Sequence, residues 1–171
     1  MAIHFEPLRA RHDRSRFTCG VPALDDWFRT RASQDQRRRI AQVFVALDGA
    51  EVMGFYSLSL FTLALDAVPA ALARKLPKYD AIPAALIGRL ARAERGRGSG
   101  LGDLLVADAV TRVLAAAESV AAYAIVVDAK DEGGASFYRA HGFIPLPSRP
   151  RRLFLLTETA AAAGRRSRLV E

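Results

Sequence analysis

A chain of 171 residues, 51% apolar and 25% charged, can bury a sizeable core and is excluded from the disordered class. Its single cysteine, Cys19, excludes a disulfide framework, and His4, His12 and His141 are too scattered to predict a metal site. The net charge of +7 (25 Lys and Arg against 18 Asp and Glu) favours a polyanionic partner and speaks against a small cationic one.

Ile3-His4-Phe5 reads as a first strand. Phe17 to Pro22 then turns into a helix expected from Pro22 to Gln36. Leu24, Trp27, Phe28 and Ala32 recur at helical spacing as its buried stripe, and Asp25 and Asp26 complement the dipole near its start. It leads into Arg37-Arg38-Arg39, a solvated run by default and, beside Arg29 and Arg31, one candidate wall of a polyanion-binding surface. Gln42 to Asp48 alternates apolar and polar residues, Asp48-Gly49-Ala50 turns, and Val52 to Leu60 returns, which predicts a hairpin. Phe61 to Val68 continues extended and is expected to bend away from the sheet. Pro69, Pro77 and Pro83 exclude one regular element there. A short helix around Ala70 to Leu76 and then a loop are expected, with Lys75, Lys78 and Tyr79.

Ala85 to Arg92 is the next strand. A long helix opening near Gly100 presents Leu101, Leu104, Leu105, Ala109 and Val113 on one face. The unbroken apolar run Ala122 to Val127, closing on Asp128, has the pattern of a central parallel strand, so these segments predict one βαβ unit. Gly133 to His141 follows as a helix capped by Gly142, and Phe143 to Leu146 with Arg151 to Leu156 closes a final hairpin. Residues 1–157 are expected as one domain and 158–171 as a basic C-terminal tail. The segment Met1 to Asp13 lacks the apolar core of a secretory signal. The uncharged run Met53 to Leu65 is shorter than the ~20 residues that span a bilayer. No membrane association is therefore expected, and with the lone thiol this places the chain in the cytoplasm.

The organising stretch is Arg95-Gly96-Arg97-Gly98-Ser99-Gly100-Leu101-Gly102, between that strand and the long helix. A glycine-rich turn feeding a helix start brings backbone N–H groups close to an anion, and the first-turn amides hold a phosphate at the positive end of the dipole. The loop lacks the Gly-Lys-Ser/Thr ending of a P-loop, and no glycine in it starts a G-x-G-x-x-G run. Arg95, Gly98 and Gly100 do satisfy Arg-x-x-Gly-x-Gly. That string resembles the acetyl-coenzyme A loop of the GNAT superfamily of N-acetyltransferases. A second string, Phe137-Tyr138-Arg139-Ala140-His141-Gly142-Phe143, resembles the last signature of the same superfamily, in which a tyrosine near the coenzyme thiol acts as general acid.

The resemblance implies an α/β (α+β) GNAT fold, a mixed central sheet with helices on both faces and acetyl-CoA held at the parallel βαβ unit. Carried onto this chain, it places the coenzyme against Leu90, Ala91, Arg92, Arg95, Gly96, Arg97, Gly98, Ser99, Gly100, Leu101, Gly102, Asp131 and Ser136, with Tyr138 catalytic. Asp131 and Gly134 stand where the superfamily often has Asn and Ala. Phe17-x-Cys19-Gly20 with Leu24-Asp25, Gly54-Phe55-Tyr56-x-Leu58-Ser59, and Leu76-Pro77-x-Tyr79-x-x-Ile82-Pro83-Ala84 narrow the resemblance. They are similar to the TacT-type toxins of bacterial toxin–antitoxin pairs. The implied activity is acetylation of the α-amino group of aminoacyl-tRNA, and the implied partner is a ribbon-helix-helix antitoxin. A second copy of the chain is a further candidate partner.

The chemistry stands without a strong base. An α-amino group with a pKa of about 7.7–8.0 is partly neutral at physiological pH, so no catalytic His or Glu is compulsory. The Tyr138 phenol, with an ordinary pKa of about 10, suits protonation of a leaving thiolate, and backbone N–H groups near Leu90 to Arg92 suit an oxyanion. Arg89 lies one residue out of phase with Leu90 and is expected to line a cleft or to form a structural ion pair. With Arg89, the residues Lys75, Lys78, Arg37, Arg38 and Arg39 are candidate tRNA contacts. Two alternatives remain at this level: a GNAT enzyme acting on a protein N-terminus, lysine or small amine, and a non-catalytic nucleic-acid-binding module.

Overall fold

The computed structural model describes residues 1–169. Seven strands form a mixed sheet in the order β1-β2-β3-β4-β5-β7-β6. In chain order the elements begin with β1 (Ile3–Pro7), α1 (Pro22–Thr30), α2 (Ala32–Arg37), β2 (Gln42–Asp48) and β3 (Glu51–Ala64). Then come α3 (Ala70–Ala73), β4 (Ala81–Arg92), α4 (Leu101–Ala116) and β5 (Ala124–Asp128). The chain closes with α5 (Glu132–Ala140), β6 (Ile144–Leu146), β7 (Arg149–Leu156) and α6 (Thr157–Arg168). Contacts divide the chain into two compact units, Met1–Ser59 with Ile87–Ala109, and Leu60–Leu86 with the chain from Val110 onward.

In the first unit β1 pairs antiparallel with β2, and β2 with β3. The core beneath is aromatic, with Phe28 stacked on Phe55 at 4.0 Å and Phe17 edge-on to both. Face and edge contacts of this kind add to simple area burial. The single helix expected over Pro22 to Gln36 is two, broken at Arg31 (φ −121°, ψ −23°). The break lets α2 turn Gln36 onto the sheet edge. Its side-chain amide donates to the Leu8 carbonyl at 2.8 Å and its oxygen accepts from the Val43 N–H at 2.9 Å. Of the expected stripe Trp27, Phe28 and Ala32 are buried and Leu24 is half-buried against them, but helical spacing carries no information on this tertiary clamp. Gly54 has a packing reason: a Cβ there would stand 3.0 Å from both the Ala91 carbonyl oxygen and a Leu105 methyl.

In the second unit β7 lies between β5 and β6 and pairs antiparallel with both. All of Ala124 to Val127 is buried, as an apolar run without alternation predicts. Leu63, Ile82, Val126, Leu146 and Phe154 form the core. Several expectations need correction here. Phe61 to Ala64 stays in β3, and the bend comes only at a 3-10 turn, Leu65–Ala67. The short helix ends at Ala73, not Leu76. β4 begins at Ala81 and includes Pro83, whose exposed position costs no buried donor and whose carbonyl accepts from the Tyr123 N–H at 2.8 Å. The expected tail is largely the helix α6, with Ala160 buried, while residues 170 and 171 lie outside the described residues. On α4, Leu101, Leu105, Ala109 and Val113 are buried as expected but Leu104 is 45% exposed.

Candidate active site

The loop between β4 and α4 is built on two left-handed glycines. Gly98 has φ 78° and Gly100 φ 80°, a region costly for residues with a Cβ. A Cβ added at either would meet nothing within 4 Å, so conformation and not crowding calls for glycine. A 3-10 turn, Glu94–Gly96, starts the loop, and the Ser99 hydroxyl donates to the Gly96 carbonyl at 2.6 Å. The loop then opens α4, a helix of 16 residues. Its first-turn amides, at Leu101 and Gly102, have no carbonyl one turn back to bond, and they sit at the positive end of the dipole. Such a cradle fits a pyrophosphate.

The other loop residues divide by role. The Arg95 guanidinium donates to the Val52 carbonyl at 3.1 Å and pairs with Glu51 at 2.9 Å, which ties the loop to β3. Arg97 is exposed and has no carboxylate partner among the described residues. The Leu101 side chain is fully buried and packs beneath Gly96, leaving only its backbone amide for a ligand. Leu90 and Arg92 are half-buried and Ala91 is buried at the end of β4.

Arg89 lies with its guanidinium 4.2 Å over the Trp27 ring. Trp27 in turn donates its indole N–H to Asp35 at 2.9 Å. Burial lowers the Arg89 pKa, Asp35 works against that, and Arg31 adds to it. Arg89 is therefore a half-buried cation held on an aromatic platform. Trp27 as that platform escaped the sequence reading because its helical spacing marked it simply as core. Arg37, Arg38 and Arg39 are exposed at the end of α2, and Lys75 and Lys78 are exposed after α3.

Tyr138 sits on α5, 7% exposed, with its ring edge-on to Phe137 and Phe143. Burial, with a contribution from the Asp128 charge, pushes its phenol up to about 12. It therefore holds its proton throughout the physiological range. Asp128 was read only as the end of an apolar strand, and its position at a strand terminus was the available signal. Its carboxylate takes a fork of bonds from Arg152, at 2.7 and 2.9 Å. Asp131, expected against the coenzyme, caps α5 by accepting from the Gly134 N–H at 2.8 Å. Ser136 is exposed on the same helix.

No family model matches the chain. It is 32% identical over 160 residues to a probable toxin TacT from Sinorhizobium fredii, covering 88% of each chain. It is 35% identical over 150 residues to a tRNA-acetylating toxin from Mycobacterium tuberculosis, covering 88% of this chain and 89% of that one. Among solved structures, AtaT complexed with acetyl-methionyl-tRNAfMet superposes with a TM-score of 0.88 at 30% identity, covering 95% of this chain and 99% of that one. A mutant AtaT bound to the C-terminus of the antitoxin AtaR and acetyl-CoA gives 0.82 at 28% identity, covering 95% and 98%. The mixed seven-strand sheet with its flanking helices is that of a GNAT-type acetyltransferase. The chain belongs to the family of TacT-type tRNA-acetylating toxins.

Proposed function

We infer that this protein transfers the acetyl group of acetyl-CoA to the α-amino group of aminoacyl-tRNA. It acts in the bacterial cytoplasm as the translation-blocking toxin of a pair with a ribbon-helix-helix antitoxin. The observation that carries the reading is the pair of left-handed glycines, Gly98 and Gly100, opening a helix in a chain related over most of its length to tRNA-acetylating toxins.

Acetyl-CoA supplies the activated acetyl thioester. The amides of Gly100, Leu101 and Gly102 hold its pyrophosphate, Arg97 adds charge, and Arg95 fixes the loop that presents them. Backbone N–H groups of Leu90 to Arg92 stabilise negative charge on the reacting oxygen. Tyr138 gives its phenolic proton to the departing sulfur and recovers one from the attacking nitrogen. A phenol held at about 12 recaptures that proton readily. Asp131 and Ser136 act on the coenzyme through the start of α5, which Asp131 fixes by its cap. Arg89, Lys75, Lys78 and Arg37 to Arg39 receive the RNA.

Incubation with labelled acetyl-CoA and charged tRNA tests the reading. Label is expected on the aminoacyl moiety, and its absence there would refute the assignment.

A further inference from the structure

Beyond the last β5 pairing partner, Asp128 opposite Arg152, the Arg151 carbonyl accepts from the Ala129 N–H at 2.7 Å, and Arg149 at the start of β7 pairs with Leu146 of β6. This first stretch of β7 borders a cavity of about 620 Å³ shared with Asp128, Ala129 and Glu132. Its charge does not cancel. Asp128 is taken by the fork of bonds from Arg152, itself laid over the Phe61 ring at 4.9 Å. Glu132 is paired with Arg139 at 2.5 Å. Arg149 and Arg151 are left as two exposed cations, and both line this cavity. Among the described residues the Arg151 guanidinium bonds only a backbone carbonyl, that of Lys130, at 3.4 Å.

Such a hollow suits an anion with several acceptor oxygens, because arginine meets a phosphate with two parallel N–H groups.

We propose that Arg149 and Arg151 form a phosphodiester-binding site for the acceptor arm of the tRNA substrate. The proposal rests on the aminoacyl-tRNA reading and adds a contact outside the coenzyme loop. The same chemistry is offered by the coenzyme's phosphates and, less well, by an acidic peptide of the antitoxin. Two exposed guanidinium groups on a chain of net charge +7 favour RNA, the partner with a phosphate at every step.

The test uses the full chain with both arginines changed (Arg149→Gln, Arg151→Gln), on the Tyr138→Phe background to prevent turnover. Binding of uncharged tRNA is followed across a salt series, and acetyl-CoA binding by calorimetry. The expected result is affinity for tRNA about tenfold weaker, with the slope of log affinity on log salt shallower by about two. Acetyl-CoA affinity stays as it was. An unchanged salt slope overturns the proposal. Weakened acetyl-CoA binding with tRNA binding intact reassigns the site to the coenzyme, and loss of antitoxin binding alone reassigns it to the protein partner. Circular dichroism of the double variant must match the parent, and a paired Arg149→Lys, Arg151→Lys variant should restore most of the slope. Because this readout is binding, it stands or falls separately from whether label reaches the aminoacyl group.

Discussion

Tyr138 combines burial with a titratable group, and both consequences are measurable. Its phenol rises from the ordinary 10 to about 12, so it does not ionise where the enzyme works. The rate should climb with pH as the acceptor amine loses its proton near 7.7–8.0 and stay level to about pH 10. Tyr138→Phe should lower kcat by about 10²–10⁴ while leaving acetyl-CoA affinity nearly intact, which single-turnover kinetics and calorimetry separate. The same shift bears on stability. The folded state holds the proton more tightly than the unfolded one, so its stabilising contribution is complete below pH 10 and is lost as pH rises toward 12. The wild-type chain should lose melting temperature over that window more steeply than Tyr138→Phe. Parallel curves would remove burial as the cause.

At the scale of the element, glycines in this chain serve two separable purposes. Gly54 is a matter of space, because a methyl there meets the Ala91 carbonyl oxygen and Leu105 at 3.0 Å. Gly98 is a matter of conformation, with φ 78° and open space around it. Gly54→Ala should cost about 1–3 kcal/mol in chemical denaturation through overpacking. Gly98→Ala should cost about 1–2 kcal/mol from backbone strain alone. Only the Gly98 change should weaken acetyl-CoA out of proportion to its effect on folding. Equal effects on affinity from both would argue that the loop is a simple connector. Elsewhere, sequence periodicity found helices and strands but not their ends. The Arg31 break and the continuation of β3 to Ala64 follow from tertiary bonds that no local pattern encodes.

For the molecule as a whole, the charge of +7 makes association with a polyanion fast and salt-sensitive. The association rate with tRNA should fall at least about tenfold between 50 and 200 mM salt, as stopped-flow fluorescence would read. A rate indifferent to salt would separate the basic surface from substrate capture. The sequence by itself determined the glycine loop and the order of the central strand, helix and strand, because each depends on residue type at short range, whereas Tyr138 was singled out through the family resemblance. Glycine at a left-handed turn and an apolar run in a covered strand are local necessities. Only the tertiary structure decided what each cation does. It bound Arg95 to β3, set Arg89 on Trp27, spent Arg152 on Asp128 and left Arg149 and Arg151 exposed. A guanidinium looks the same in any sequence, and its role is fixed by which carboxylate, ring or carbonyl the fold brings within a few ångströms.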